Sequence, residues 1–221
     1  MDNTTAITPL TEGQLDENKA RYINILEESG FMKRTGAAKL LDWMENNTDF
    51  FKSPASTRFH EPYSGGLCEH SLVVYDNLVE LDTLARVRKA NVPQIQPDSL
   101  AAMALLHDLC KANFYKSTTR NVKNEETGKW EKVPSFVVDD QFPYGHGEKS
   151  VFLIERFVRL KVDEAISIRW HMGGFDDSVR GGSFALSDAW EKFQHGVLLH
   201  MADLQATYLK PLPDTDQSDS N

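Results

Sequence analysis

The stretch "ALLHDLCK", Ala104 to Lys111, ends an apolar run with His107 and Asp108 side by side and Lys111 three residues on. Burying an imidazole and a carboxylate without partners costs roughly 2–7 kcal/mol per group, so a chain that buries this pair must supply partners from elsewhere. Upstream, "PDSLAAMALLHDLCKANFY" reads as one helix with Pro97 and Asp98 as its start signal. Before it, a long helix is predicted from near Leu67 through "EHSLVVYDNLVELDTLARVRKA". Two shorter helices precede that. "LDENKARYINILEESG" carries Tyr22, Ile25 and Leu26 at helical spacing and stops at Gly30, and "TGAAKLLDWMENN" puts Leu40, Leu41 and Met44 on one face.

"KSPASTRFHEPYSGG" reads as a loop punctuated by Pro54, Pro62, Gly65 and Gly66. Downstream, residues 117–140 are polar and alternating, with Gly128 at a turn, and read as a β-hairpin or ordered flap between helices. Helical patterns resume at "HGEKSVFLIERFVRL", "VDEAISIRWH" and "SDAWEKFQHGVLLHMADLQATYL", the last two separated by the glycine-rich "MGGFDDSVRGGSFAL". The fold class expected is all-α with one small β-hairpin insertion. The expected division is a flexible tail over 1–17, one domain over 18–209 and a disordered Pro- and acid-rich tail over 210–221.

A net charge of −9 argues against a general grip on long duplex nucleic acid. It leaves room for a metal that brings its own positive charge. Cys68 and Cys110 are the only cysteines, so no disulfide framework is implied and a reducing, cytoplasmic setting fits. No segment approaches the about 18 apolar residues of a membrane span, and no signal-like stretch opens the chain.

The histidines are the informative residues. Five of the seven, His70, His107, His146, His171 and His200, fall in or beside predicted helices with apolar or small residues at helical spacing. A single such histidine is ordinarily a satisfied core residue. Five in one chain, with His107 next to Asp108 and His200 one helical turn from Asp203, form a set that a divalent first-row metal can use.

The ordered blocks "GGLCEHS", "LLHDLCK", "PYGHGEKS", "IRWHMGG" and "LLHMADLQA" resemble the HD-domain metal-dependent phosphohydrolase superfamily over about Arg58 to Tyr208. The likeness is to members with two extra histidines between the His-Asp pair and the final aspartate, and its glycine-glycine lead-in is most similar to the 3′-to-5′ exonuclease-like branch. The resemblance implies an HD-type helical bundle. It implies His70, His107, Asp108 and Asp203 as ligands of a first metal, with Asp108 bridging to a second held by His146 and His171. The metals implied are two divalent ions (manganese, iron, cobalt, nickel or zinc), sharing a hydroxide that attacks a phosphoester.

Lys111 is expected to touch phosphate and stabilise charge in the transition state. Glu148 is a candidate for positioning water or a ligand histidine, with a helix-dipole role as the bland reading. His60, Arg169 and His200 are candidate substrate contacts, His200 reading foremost as a group behind the ligands, with a ligand or a core residue as its alternatives. Cys68 and Cys110 read as small core residues, and Trp130 and Phe136 as aromatics able to cover a substrate. The expected substrate is a phosphoester of a nucleotide or short oligonucleotide. The alternatives are a di-iron oxygenase of the same superfamily and a non-catalytic nucleotide-sensing module.

Overall fold

Helix α1 (Glu12–Glu28) starts inside the stretch expected to be a flexible tail. Thr11 and Gln14 form a capping box: the Thr11 hydroxyl accepts from Gln14 N, and the Gln14 side-chain carbonyl accepts from Thr11 N at 2.9 Å. The computed structural model describes residues 9–123 and 127–209. Residues 1–8 and the expected C-terminal tail, 210–221, lie outside the described residues.

After α2 (Ala37–Asn47) come the long α3 (Gly66–Val87) and α4 (Pro97–Leu106). Every residue of α4 from Ser99 to Leu106 is buried, the mark of a helix enclosed on all sides. It packs against α1, α3 and α6 (Val162–Arg169). The Tyr22 hydroxyl of α1, fully buried, donates to the Leu105 carbonyl at 2.7 Å, tying the first helix to the last turn of α4.

The predicted helix through Tyr115 ends instead at Leu106. The His107 imidazole donates Nδ1–H to the Ala104 carbonyl at 2.8 Å, competing for the acceptor that the Asp108 amide would use in a continuing helix. Asp108 leaves helical geometry at φ −103°, ψ 20°, and a tight turn follows over Leu109–Lys111.

The hairpin is present as β1 (Tyr115–Lys123) paired antiparallel with β2 (Trp130–Val138), Tyr115 opposite Val138 and Lys123 opposite Trp130. It is anchored at its base, where the Tyr115 hydroxyl donates to the Ala55 carbonyl at 3.2 Å. Helix α5 (His146–Glu155) and then α6 bring the chain back to α4. The glycine-rich loop contains a 3-10 turn over Gly173–Phe175 and the short helix α7 (Asp177–Arg180).

The long helix expected over the last segment is two, α8 (Ala185–Lys192) and α9 (His195–Tyr208). Phe193 breaks it at φ −133°, ψ 77°, and His195 pins the new start through Nε2 to the Pro93 carbonyl at 2.9 Å and Nδ1 to Asp163 at 3.2 Å. That histidine is a satisfied structural residue. α9 then packs along α3 and α6. The described residues are thus mostly helical with one two-stranded sheet, and none of their helices is long and apolar enough to cross a membrane.

One guanidinium fixes the starts of two helices that frame the site. Arg34 bonds Asp98 at the head of α4 and Glu164 in the first turn of α6, each at 2.6 Å. Lys161 joins through Asp98 at 3.1 Å and the Ser99 hydroxyl at 2.8 Å. Burial alone would raise the Glu164 carboxyl, but Arg34, Ser99 and the Lys161 amide hold it below its usual value. Asp98 is likewise depressed by Arg34 and Lys161 against its own desolvation.

Removing one partner of a buried pair costs about 3–5 kcal/mol, so Arg34→Met is expected to lower unfolding free energy by that order in urea melts. Both carboxylates have depressed folded values. Their contribution is therefore complete above the unfolded range of about 4 and is lost as pH falls through the folded values. The difference between parent and Arg34→Met should accordingly shrink in melts run at progressively lower pH.

Candidate metal centre

The end of α4 delivers His107 and Asp108 into a space bounded by α3, α5, α6 and α9. His70 enters from α3, His146 from the first residue of α5, His171 from just past α6 and Asp203 from α9. Residues separated by as much as 133 positions meet there: His70 Nε2 lies 3.1 Å from Asp203 Oδ1. α4 and α6 both present their C-terminal ends, whose partial negative charge favours a cation. Gly147 allows α5 to close on α6, because a Cβ at that position would lie 2.2 Å from the Arg169 carbonyl oxygen.

The two oxygens of Asp108 face different groups. Oδ2 lies 2.7 Å from Lys111 Nζ, 3.3 Å from His107 Nε2 and 3.8 Å from His70 Nε2. Oδ1 lies 2.8 Å from His146 Nε2 and 3.5 Å from His171 Nε2. His107 and His171 each spend Nδ1 on a backbone carbonyl three residues back, Ala104 at 2.8 Å and Ile168 at 2.7 Å. Those bonds put the proton on Nδ1 and leave Nε2 with its lone pair toward the cluster, where neither has a hydrogen-bond partner. This is the tautomer and orientation that metal-ligating histidines use.

The electrostatics follow from burial and proximity. Burial would raise Asp108, but Lys111, His107 and His146 drive it well below the ordinary carboxylate value. Burial would lower His70, but Asp203 and Glu61 hold it up at about 9. His171 is raised in the same way, chiefly by Asp108 against its desolvation. His146 is lowered, its desolvation outweighing Asp108. Desolvation, with Lys111 and His70 adding to it, pushes His60 down to about 4.

All six residues expected to bind metal are thus brought together. The donor atoms of His70, His107 and Asp203 lie within 4.8 Å of one another, as do those of His107, Asp108 and His171. This donor set of imidazole nitrogens and carboxylate oxygens, with Nε2 of His107 and His171 unpartnered, can hold metal ions. Lys111 joins the cluster through Asp108.

Glu148, Arg169 and His200 make contacts of their own outside the six-residue cluster. Arg169 pairs with Glu148 and, at 2.8 Å, with Asp176, and its guanidinium lies 3.9 Å from the centre of the Trp170 ring. These pairs place the charges of Glu148 and Arg169 against each other where α5 meets α6. His200 donates Nδ1–H to the His171 carbonyl at 2.6 Å and packs against Trp190, so it holds the backbone of His171. His60 sits over His70, ring centres 4.9 Å apart, with both its nitrogens lacking a hydrogen-bond partner. Trp130 lies at the far end of the hairpin, paired with Lys123 and strongly exposed.

Three participants escaped the sequence reading. Glu61, at φ +37°, places Oε2 3.6 Å from His70 Nδ1, and Gly66 gives it room, since a Cβ there would lie 2.2 Å from the Glu61 carbonyl. Its signal was its position beside His60. Cys110, read as filler, has Sγ 3.4 Å from His146 Nδ1, and desolvation with Asp108 nearby raises its thiol to about 12. Lys149, one helical turn after His146, is the third. A cleft of 660 Å³ near Thr35, Phe157 and Ile166 contains none of these residues. A smaller cavity of 180 Å³ opens beside His146 and Lys111. Compared with protein-family models, curated proteins and solved structures, the chain finds no match.

Two outcomes are expected. Manganese or zinc at a hundredfold excess over its dissociation constant should stabilise the fold by about 2.7 kcal/mol, raising Tm by about 5–11 °C, with EDTA reversing the shift. Because His70 is held up at about 9 without metal, binding there must expel a proton. Calorimetric titration in buffers of different ionisation heat should therefore show proton release, and apparent affinity should rise with pH.

Proposed function

We propose that the protein is an HD-type, two-metal phosphohydrolase that cleaves a phosphoester of a nucleotide or short oligonucleotide. The observation that carries the reading is the division of Asp108: one carboxylate oxygen faces His70 and His107, the other His146 and His171. His70, His107 and Asp203 with Asp108 Oδ2 would hold one divalent cation, and His146 and His171 with Asp108 Oδ1 the other. Such a pair supplies Lewis acidity and a nucleophile at neutral pH.

The chain's own residues then have distinct tasks. Lys111, whose pKa is raised by Asp108 against desolvation, keeps its charge and can balance phosphoryl oxygens. His60, held neutral near pH 7, offers one donor and one acceptor beside the first ligand histidine. His200 holds the backbone of His171, and Glu61 backs His70. The net charge of −9 favours a small or short substrate over a long polymer.

The test is elemental analysis of the purified protein run beside a panel of nucleotides, cyclic dinucleotides and short oligonucleotides. Asp108→Ala should abolish turnover and most metal binding while far-UV circular dichroism stays near that of the parent. Near-normal turnover of any parent substrate by that variant would falsify the assignment. Iron content with oxygen consumption and no hydrolysis would replace it with an oxygenase.

A further inference from the structure

Lys149 is buried to 5% exposure one helical turn from His146, and the proposed reaction has no task for it. Burying an ammonium costs several kcal/mol without compensation. Its partners are Asp140 Oδ1 at 2.6 Å and the rings of Phe114 and Phe142 at 5.1 and 5.8 Å. It lines the 180 Å³ cavity together with Lys111, Cys110, Phe114, Asp140 and His146, so the cavity adjoins the metal-type cluster directly.

The charge around this space is uneven. Lys111 now rests on Asp108. If Asp108 is committed to cations, Asp140 is left as the one carboxylate lining the cavity, facing two ammoniums. Asp140 lies on the connection between β2 and α5, its side chain a fifth exposed, and Oδ1 also accepts from the Phe142 amide at 2.9 Å. It can therefore release Lys149 and keep a partner. The volume falls below the about 300–1,000 Å³ of a site for a drug-sized ligand, which suits one compact group.

We propose that this cavity is a second anion subsite, in which Lys149 takes a phosphate group neighbouring the scissile one while Asp140 yields its place. The assignment rests on the phosphohydrolase reading for the position of the scissile group. It narrows the substrate class to molecules with two adjacent phosphates, such as nucleoside diphosphates or linked nucleotides, over simple monoesters.

The experiment titrates methylenediphosphonate and methylphosphonate calorimetrically into the metal-loaded full chain at fixed free metal. The diphosphonate is expected to bind about ten- to a hundredfold tighter, as one charge-assisted contact allows. Lys149→Met should remove that preference, Lys149→Arg should restore most of it, and Asp140→Asn should strengthen it by freeing the ammonium. A salt bridge serving only stability would make the Lys149→Met and Asp140→Asn variants behave alike. Equal weakening of both probes by Lys149→Met, or weaker diphosphonate binding in Asp140→Asn, overturns the subsite. Should Lys149→Met fail to fold, the stronger diphosphonate preference expected of Asp140→Asn, against a near-parental one in Lys149→Arg, decides alone. Hydrolysis of p-nitrophenyl phosphate, assayed in parallel, separates the two ideas. Turnover without a diphosphonate preference removes the subsite alone, whereas a preference without turnover retains the subsite and removes the hydrolase.

Discussion

A single carboxylate organises the centre of this protein. Asp108, 2% exposed, lies within 4 Å of four imidazoles and one ammonium drawn from α3, the end of α4, the turn after it, α5 and the chain beyond α6. A lone buried carboxylate would be protonated; this one stays ionised because its neighbours are basic. The neighbours are themselves poorly hydrated and need it in return. Around that mutual dependence α4 and α6 end, and α5 begins, at the cluster, while α3 and α9 pass it and add His70 and Asp203.

The sequence carried much of this arrangement, for identifiable reasons. His70, His107, His146 and His171 drew notice because each stands among apolar or small residues at helical spacing, where polar groups need explanation, while their grouping with Asp108 and Asp203 was implied by the family resemblance. The hairpin was visible because residues 117–140 alternate and turn at Gly128, which has φ +67°. The end of α4 was less visible, because nothing local says that the His107 ring will take the Ala104 carbonyl. The break at Phe193 was hidden in the same way, since its cause is the anchoring of His195 to Pro93, 102 residues away.

The polar residues around the cluster pair in ways that no motif shows. Glu148 and Arg169 each read as a site residue when taken singly, yet they neutralise one another across α5 and α6. Glu61 and Cys110 read as background and lie against His70 and His146 of the cluster. Metal-type ligands must sit at one point and so leave a strict pattern. Surrounding groups can be reached from many positions, and their pairing is a tertiary fact.

The Arg34 network gains a wider meaning from where its two helices finish. Asp98 and Glu164 lie at the heads of α4 and α6, while His107 and His171 lie at their other ends with ring centres 4.9 Å apart. The two helices therefore run side by side in one direction, clasped at both extremities. Ten residues of α4 at 1.5 Å each set the clasps about 15 Å apart. Such a pair acts as a caliper: a change of spacing imposed at the guanidinium is transmitted along stiff rods to the gap between two imidazoles. The precision with which this chain presents its donor atoms is thus partly decided by an arginine that touches none of them.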